Sequence, residues 1–202
     1  FDSNLVVALD MNETGLYELQ AENNMTDRKR NLEVCVADVT DPDQVRALFE
    51  RYRPEVVYHT AAYKHVPLME LHPRIALRTN VVGTINVGLS AREVGSDRFV
   101  LISTDKAVEP ASIYGVTKLI AEQVTASLAV SSSSTLFTCV RFGNVLGSRG
   151  SVVPLFERQI AAGGPITVTH PDITRFYMTI PEAVRLVIQA SALTGGGDLF
   201  ML

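Results

Sequence analysis

Residues 98–118 read RFVLISTDKAVEPASIYGVTK, a stretch that passes from an apolar run into a helical pattern. Its first five residues have the length and the β-branched content of a buried strand. Three polar residues, 104–106, follow that strand almost directly. Tyr114 and Lys118 are four residues apart, so they share one face of the following helix. In an open α/β sheet, ligands bind at the carboxyl ends of the strands. The stretch therefore predicts a strand–turn–helix unit with reactive groups at a binding site.

Apolar, strand-like runs alternate with helical patterns along the whole chain. The runs lie at 5–9, 32–37, 55–59, 98–102, 135–141 and 199–202. This alternation is typical of βαβ units, so we predict an α/β fold with a Rossmann-like, doubly wound parallel sheet. We expect residues 1–145 to form the nucleotide-binding part that carries the catalytic residues. Residues 146–202 then form a small C-terminal substrate-binding lobe, intertwined with the first part.

A glycine-rich turn, normal between the first strand and helix of a Rossmann unit, is not found in its usual form. No Gly-x-Gly-x-x-Gly precedes Leu5, and Gly143, Gly147 and Gly150 follow a late strand with a different spacing. We therefore expect residues 5–9 to be the second strand of the fold. The native protein would then have an earlier strand, glycine loop and helix. Because that first strand lies centrally, the residues present should leave a gap in the sheet.

The composition is that of a globular domain and argues against several classes of partner. The 202 residues are 47% hydrophobic and 20% charged, which is ordinary for one domain with a sizeable core. A formal charge of −4 predicts neither a nucleic-acid nor an anionic-membrane partner. No apolar run approaches the roughly 18 residues of a membrane span. Histidines and cysteines show no metal-ligand spacing, and Cys35 and Cys139 are predicted to be reduced core thiols.

Tyr114 and Lys118 form a pattern suited to acid–base chemistry. A free phenol has a pKa of about 10, and a nearby ammonium group favours the phenolate. A Tyr-x-x-x-Lys pair at the start of a helix can therefore take a proton from a substrate hydroxyl. Taken alone, such a pair is equally well explained as two surface residues. Its position after a buried strand and after Thr104, Asp105 and Lys106 favours the catalytic interpretation.

Ser103-Thr104-Asp105-Lys106-Ala107-Val108-x-Pro110, followed by Tyr-x-x-x-Lys, resembles the extended short-chain dehydrogenase/reductases. More closely, it is similar to the nucleotide-sugar 4,6-dehydratases of capsular and flagellin-glycan polysaccharide biosynthesis, and the resemblance covers residues 5–202. It implies a homo-oligomeric enzyme that uses NAD or NADP and acts on UDP-N-acetylglucosamine or a similar UDP-hexosamine. It also implies a cytoplasmic location, either free or as part of a membrane-anchored protein. A 4-epimerase and a non-catalytic nucleotide-binding relative are the open alternatives.

The resemblance also implies a role for each residue of the motif. Tyr114 takes the proton of the sugar C4 hydroxyl while hydride leaves C4 for the cofactor, and Lys118 lowers the pKa of the phenol and holds the nicotinamide ribose. Lys106 then removes the C5 proton, and Asp105 protonates the departing C6 hydroxyl. Thr104 donates a hydrogen bond to the C4 oxygen. Hydride finally returns to C6, so the cofactor is regenerated.

Asp10 ends the first strand-like run, where an acidic side chain can bind both hydroxyls of an adenosine ribose. A helix N-cap is the competing interpretation of this residue. No Arg or Lys follows it directly to hold a 2′-phosphate, so NAD is favoured over NADP. Asp38 is explained equally well as a turn residue. The further cofactor contacts implied by the resemblance are Asp38 and Val39 at the adenine, Ala61 and Ala62 along the cofactor backbone, Tyr63 near the nicotinamide ribose, and Asn80 as a support of the active-site backbone.

Substrate contacts are implied for residues on three further segments. The resemblance places Lys64 and His65 in a loop over the sugar and Asn144 at the diphosphate or sugar. It places Thr167, Val168 and Thr169 at the uracil, and Arg175 at the diphosphate, where a planar guanidinium suits bidentate contact. Arg149 is a second candidate for the anion. Without the resemblance, a surface salt bridge would be the better explanation of Arg175.

Overall fold

The computed structural model describes residues 3–27, 29–132, 134–148, 150–168 and 170–202. The strands are β1 (Val6–Asp10), β2 (Leu32–Val36), β3 (Val56–His59), β4 (Arg98–Ile102), β5 (Leu136–Arg141), β6 (Asn144–Val145), β7 (Tyr177–Met178) and β8 (Leu199–Met201). The α-helices are α1 (Glu13–Met25), α2 (Pro42–Tyr52), α3 (Val66–Leu71), α4 (Pro73–Leu77), α5 (Gly83–Val94), α6 (Ile113–Ser131), α7 (Val152–Ala161) and α8 (Ile180–Leu193). A π-helical segment, Arg78–Val82, joins α4 to α5, and Asp105–Ala107 form a 3₁₀ turn.

All the strand pairs are parallel, as the alternation of strands and helices predicts. β1 pairs with β2, and β3, β4, β5 and β8 pair in that order. β6 and β7 form a separate short pair. Among the described residues no hydrogen-bonded register joins β1 to β3, so the sheet has a gap between them. A gap at this point is what the sequence predicts, and an earlier strand that fills it stays a prediction.

The core lies on both faces of the sheet because successive residues of a strand point in opposite directions. On one face, Phe99 and Leu101 of β4 pack with apolar side chains of α2, α5 and α6. On the other face, Val100 packs with Val187 and Ala190 of α8. All three β4 residues are fully buried. Helices therefore cover both faces, which confirms the predicted doubly wound α/β architecture.

Helix boundaries follow the local capping chemistry. Asp41 Oδ1 accepts hydrogen bonds from the backbone N–H groups of Asp43 and Gln44 at 3.0 and 3.1 Å, and Pro42 is the first helical residue of α2. An aspartate followed by a proline is a favourable local signal for these two positions. Residues 73–94 are helical throughout and consist of α4, the π-helical segment and α5. No helix was predicted at α3, although a proline is tolerated in the first helical turn.

The C-terminal residues return to the main sheet after the β6–β7 pair. β8 pairs with β5, and α8 packs against β4 and β5. The predicted lobe at 146–202 is thus joined to the rest of the fold at its end, and the division at residue 145 stays a prediction. Within the ranges described above, no helix has both the length and the apolar character needed to cross a membrane.

Candidate active site

The polar residues after β4 form a turn in which neighbouring side chains share hydrogen bonds. Thr104 Oγ1 accepts from the Lys106 backbone N–H at 3.3 Å and donates to Asp105 Oδ1 at 2.9 Å. Lys106 Nζ donates to the same carboxylate oxygen at 2.9 Å and to Asn144 Oδ1 at 3.3 Å. Asn144 lies on β6, 38 residues further along the chain. Four of the predicted site residues are therefore brought into one hydrogen-bonded group.

The Asp105 carboxyl group is held in its ionised form. Burial raises its pKa, but the hydrogen bonds from Lys106 and Thr104 and the charge of Lys106 together outweigh burial, so the pKa lies below the ordinary value. The side chains of Asp105 and Lys106 are 45% and 37% exposed, so water reaches the pair. The group assigned as an acid thus carries no proton, which any mechanism for this site must take into account.

Tyr114 and Lys118 lie one turn apart on α6, with Tyr114 half-buried and Lys118 only 2% exposed. Burial and, to a smaller extent, the charge of Asp105 raise the pKa of Tyr114, whereas the hydrogen bond with Thr104 lowers it. Burial lowers the pKa of Lys118 to about 8. In this structure the pKa of Tyr114 is therefore raised because burial disfavours the phenolate, and a lowering of that pKa by Lys118 stays a prediction. The charge of Lys118 acts on His59.

Gly115 allows α6 to pack directly on the backbone of the Thr104–Lys106 turn. Its N–H donates to Ser112 Oγ at 3.1 Å, which caps the helix. A Cβ atom at this position would lie 2.2 Å from the Lys106 carbonyl oxygen and 3.0 Å from Pro110 Cβ. Only glycine fits such an approach. The contact fixes the distance between the helix that carries Tyr114 and the turn that carries Lys106.

Asn80 joins two parts of the site through a fully buried amide. Its Oδ1 accepts from the Tyr63 backbone N–H at 2.8 Å, and its Nδ2 donates to the Tyr63 carbonyl and to Thr117 Oγ1, each at 3.0 Å. Thr117 donates in turn to the Tyr114 carbonyl at 2.9 Å. The π-helical segment places this side chain between the loop after β3 and α6. The geometry is that of a support for the active-site backbone.

His59, at the end of β3, is a buried neutral imidazole beside this support. Thr84 Oγ1 donates to the Asn80 carbonyl at 2.7 Å, so its oxygen is left to accept from His59 Nε2 at 3.0 Å. The proton of the imidazole therefore lies on Nε2. Burial, followed by the charge of Lys118, lowers the pKa of His59 to about 3.

The residues predicted to bind the cofactor lie at the ends of β1, β2 and β3. Asp10 is exposed, and its Oδ1 accepts a hydrogen bond from the Asn12 N–H at 2.9 Å. Asn12, whose Oδ1 accepts from the Gly15 N–H, is the N-cap of α1, so the capping interpretation of Asp10 is wrong. Asp38 Oδ1 accepts from the Thr40 N–H at 2.8 Å as a turn residue does, while Val39 is buried. Ala61 and Ala62 are half-buried after β3, and Tyr63 follows them with its ring partly exposed.

Two loops that carry predicted substrate contacts touch each other. Lys64 Nζ donates to Ser148 Oγ at 3.5 Å. A Cβ atom on Gly150 would lie 2.5 Å from His65 Cε1, so the ring of His65 packs against the backbone there. Gly150 has a φ of +69°, which glycine adopts without strain. The loop after β3 and the loop after β6 therefore meet above the ends of the strands.

The remaining predicted substrate contacts have local partners of their own. Thr167 exchanges hydrogen bonds with Gln159 of α7 through its N–H and Oγ1, at 3.1 and 2.9 Å. Val168 is 59% exposed. Arg175 is exposed and donates to the Thr174 carbonyl at 2.7 Å. Their roles stay predictions, and two further candidates, Arg149 and Thr169, lie outside the described residues.

Three charged residues at the site were not singled out from the sequence. Glu122, on α6, and Arg141, at the end of β5, form a buried ion pair at 2.5 Å. Glu70 Oε1, on α3, accepts from the Ile113 N–H at the first position of α6, at 2.7 Å. Extending the Tyr114–Lys118 spacing by four residues would have found Glu122. Glu70 had no such signal, because no helix was predicted in its segment.

A parallel, doubly wound sheet with a Tyr-x-x-x-Lys helix packed beside the end of β4 defines a short-chain dehydrogenase/reductase fold. The chain belongs to the polysaccharide biosynthesis protein family, whose model it matches over residues 1–202.

Three relatives illustrate the range of this similarity. The chain is 50% identical to the capsular polysaccharide biosynthesis protein CapD of Staphylococcus aureus, in a match that covers 100% of this chain and 34% of that protein. It is 42% identical to a UDP-glucose 4-epimerase of Rickettsia rickettsii, over 72% of this chain and 43% of the relative. It is 36% identical to the inverting UDP-N-acetylglucosamine 4,6-dehydratase of Campylobacter jejuni, over 82% of this chain and 50% of the relative. The chain thus spans between a third and a half of these proteins.

Among solved structures, the fold is similar to that of Pen from Bacillus thuringiensis. The TM-score is 0.92 at 40% sequence identity, and the match covers 98% of this chain and 61% of the other. The likeness confirms the Rossmann-type fold that the alternation of strands and helices predicts.

Proposed function

We propose that this chain is the catalytic core of a nucleotide-sugar 4,6-dehydratase that acts on UDP-N-acetylglucosamine or a similar UDP-hexosamine, for polysaccharide or glycan biosynthesis. The observation that carries the proposal is the position of Lys106. Its Nζ lies 2.9 Å from Asp105 and 3.3 Å from Asn144, on the turn against which α6 packs. Epimerisation at C4 needs Tyr114 and Lys118 only. A second acid–base pair beside them serves a second bond-breaking event.

The roles of the residues follow from their chemistry. Tyr114 as the phenolate, the form that the positive charge of Lys118 favours, takes the proton of the C4 hydroxyl, and Thr104 donates to the C4 oxygen. Lys106 as a free amine takes the C5 proton, whose bonding electrons form the C5–C6 double bond as the C6–O bond breaks. The hydroxyl leaves with the proton of Asp105, as water. Hydride removal from C4 and its return to C6 are the chemistry that a bound nicotinamide cofactor supplies.

One proton transfer within the Asp105–Lys106 pair gives both groups the form they need. In the structure the carboxylate is ionised and accepts from Nζ at 2.9 Å. Movement of that proton to the carboxylate produces an amine base and a carboxylic acid together. In water an ammonium and a carboxylic acid differ in pKa by about six, so the transfer is costly while water reaches the pair. A sugar that covers the pair removes this water and favours the two neutral forms.

The residues at the strand ends fit a dinucleotide. Asp10 keeps one carboxylate oxygen without a hydrogen bond from Asn12, and it lies exposed at the end of β1, as a ribose ligand must. The small side chains of Ala61 and Ala62 leave the end of β3 open. Asp38 and Val39 would hold the adenine, and Tyr63, Tyr114 and Lys118 the nicotinamide ribose. Met11 and Asn12 carry no positive charge for a 2′-phosphate, so we expect NAD to bind more tightly than NADP in calorimetry.

The test is incubation of the intact protein with UDP-N-acetylglucosamine and the cofactor, followed by mass spectrometry. We expect a 4-keto-6-deoxy product that is lighter by one water. Lys106→Met removes the amine while keeping the length of the side chain, so it should abolish water loss and leave C4 oxidation intact. Lys29→Met, at an exposed lysine before β2, is the matched control. If Lys106→Met still eliminates water at the wild-type rate, the assigned base is wrong.

The same assay separates the alternatives. Interconversion of C4 epimers by the wild type, without loss of water, would establish the 4-epimerase instead. Binding of UDP-hexosamine without any conversion would establish a non-catalytic relative. The intact Thr104-Asp105-Lys106 turn argues against the latter, because nucleotide binding alone needs no acid–base pair.

A further inference from the structure

Glu122 and Arg141 form a buried ion pair that the proposed reaction does not use. Arg141 Nη2 donates to Glu122 Oε2 at 2.5 Å, and Arg141 Nε donates to Oε1 at 2.8 Å. The side chains are 7% and 14% exposed. Ser103 Oγ also donates to Glu122 Oε1. A carboxylate with three donors in the interior is expensive to build and costly to disrupt, so its place in the fold calls for a reason.

The three segments that meet at Glu122 are those that carry the active-site groups. Ser103 directly precedes the Thr104–Lys106 turn. Arg141 ends β5, three residues before Asn144. Glu122 lies on α6, one turn after Lys118 and on the same face as Tyr114. The backbone repeats the connection, since the Asp105 N–H donates to the Phe142 carbonyl at 3.2 Å.

Glu122 is also the negative charge that faces Lys118 from its own helix. Burial lowers the pKa of Lys118 to about 8, while Cys139 and Glu122 act in the opposite direction. Burial raises the pKa of Cys139 itself to about 12, so its thiol is uncharged at neutral pH. His59, facing Lys118 from β3, is also neutral because its pKa is about 3. Among these neighbours, Glu122 is therefore the one that supports a positive charge on Lys118 under physiological conditions.

We propose that Glu122 is a positioning residue, which keeps the Lys118 ammonium charged and aligns the three catalytic segments through Ser103 and Arg141. The inference rests on the proposed function only in so far as Lys118 takes part in catalysis. Arg141 offsets part of the negative charge of Glu122, and it therefore sets how strongly Glu122 raises the pKa of Lys118. The pair thus keeps the pKa of a buried lysine close to the pH at which the enzyme works.

The test compares two substitutions that separate charge from shape. Glu122→Gln keeps the shape and removes the charge, whereas Glu122→Asp keeps the charge and shortens the side chain. The protonation of Lys118 is followed in the intact protein by NMR of ¹³C-labelled lysine, with the resonance assigned from its loss in Lys118→Arg. No substrate is needed, so the result does not depend on whether the protein is a dehydratase.

We expect Glu122→Gln to move the midpoint of the Lys118 titration down by about one pH unit, the low end of the effect of one opposite charge. At pH 8 the protonated fraction then falls about five-fold, and turnover of UDP-hexosamine falls by the same factor, while turnover at pH 6 stays near the wild type. Glu122→Asp should keep the wild-type midpoint. Glu93→Gln, at an exposed position on α5, is the control substitution and should change neither.

Two results would overturn the inference. One is an unchanged midpoint in Glu122→Gln. The other is an equal shift in Glu122→Gln and Glu122→Asp, which would indicate packing rather than charge. If Glu122→Gln does not fold because Arg141 is left unpaired, the double variant Glu122→Gln/Arg141→Met removes both buried charges. Because it also removes the opposing charge of Arg141, it should still lower the midpoint, but by less than one pH unit. A lowered midpoint in Glu122→Gln, together with a wild-type protein that converts no UDP-sugar, would support the electrostatic role and refute the proposed function.

Discussion

Replacing Gly115 by alanine adds one methyl group at a close contact between α6 and the Thr104–Lys106 turn. The new Cβ would lie 2.2 Å from the Lys106 carbonyl oxygen, whereas Cβ atoms in proteins keep at least 3.0 Å from other heavy atoms. The obstacle is backbone, so no side-chain rotation relieves it. The turn must therefore move away from α6 by about 0.8 Å. The displaced residues include Asp105 and Lys106, whose side chains are the proposed acid and base.

Helix propensity and packing predict opposite signs for this substitution. Alanine in place of glycine within a helix stabilises by about 1 kcal/mol. Forcing a methyl group into a packed contact costs about 1–3 kcal/mol. We expect the contact to dominate, with a loss of about 1–2 kcal/mol in the free energy of unfolding. A displacement of about 1 Å at reacting groups can reduce turnover about 100-fold, and we expect a loss in kcat of that order with little change in KM.

Gly88→Ala is the matched control for Gly115→Ala. It also adds a methyl group to a helical glycine, but the nearest atom is Leu128 Cδ1 at 2.6 Å, the end of a side chain in the core. We expect a loss of stability without a selective loss of turnover. Both variants are unfolded in urea and assayed for the dehydrated sugar at a temperature where both are folded. Wild-type turnover and unchanged or increased stability in Gly115→Ala would refute the reasoning, as would an equal loss of turnover in Gly88→Ala.

Three further predictions concern the supports of the site. Asn80→Ala removes the hydrogen bonds to the Tyr63 backbone and to α6, and should lower the free energy of unfolding, measured in urea, by about 2–4 kcal/mol. A decrease below about 1 kcal/mol would contradict the role of the amide as a support. His59 has a pKa of about 3, below the usual 6.5, so the unfolded chain binds the proton more readily, and stability should fall as the pH drops from 6.5 towards 3. The free energy of unfolding should fall by on the order of 4 kcal/mol over this range. The decrease should be smaller in His59→Gln, and equal pH dependence in the two proteins would exclude His59 as the cause. Glu70→Ala removes the carboxylate that accepts from the Ile113 N–H and should lower the free energy of unfolding by about 1 kcal/mol. Glu70→Gln keeps an oxygen acceptor and should recover part of this loss. Equal stability of Glu70→Ala and the wild type would show that the hydrogen bond contributes nothing.

The alternation of strands and helices could be predicted from the sequence because it depends on local patterns. The buried run at 98–102 and the Asp41-Pro42 cap are encoded by neighbouring residues, and so is the spacing of Tyr114 and Lys118. These features determined the fold class, the face that carries the reactive groups and the resemblance on which the proposed reaction rests. α3 was missed for the same reason, since its first turn contains Pro67 and lacks a side-chain cap.

Tertiary structure alone decided which charges meet. The pKa of Tyr114 is raised and that of Lys118 lowered because both are buried, and burial depends on elements distant in sequence. Asn144 reaches Lys106 across 38 residues, and Glu122 meets Arg141 across 19. The need for glycine at 115 arises from the Lys106 carbonyl, which no local pattern reveals. The sequence by itself determined which groups are available for the chemistry. The packing of β4, β5 and α6 decided their protonation and their partners, because electrostatic energies depend on distance and on the exclusion of water.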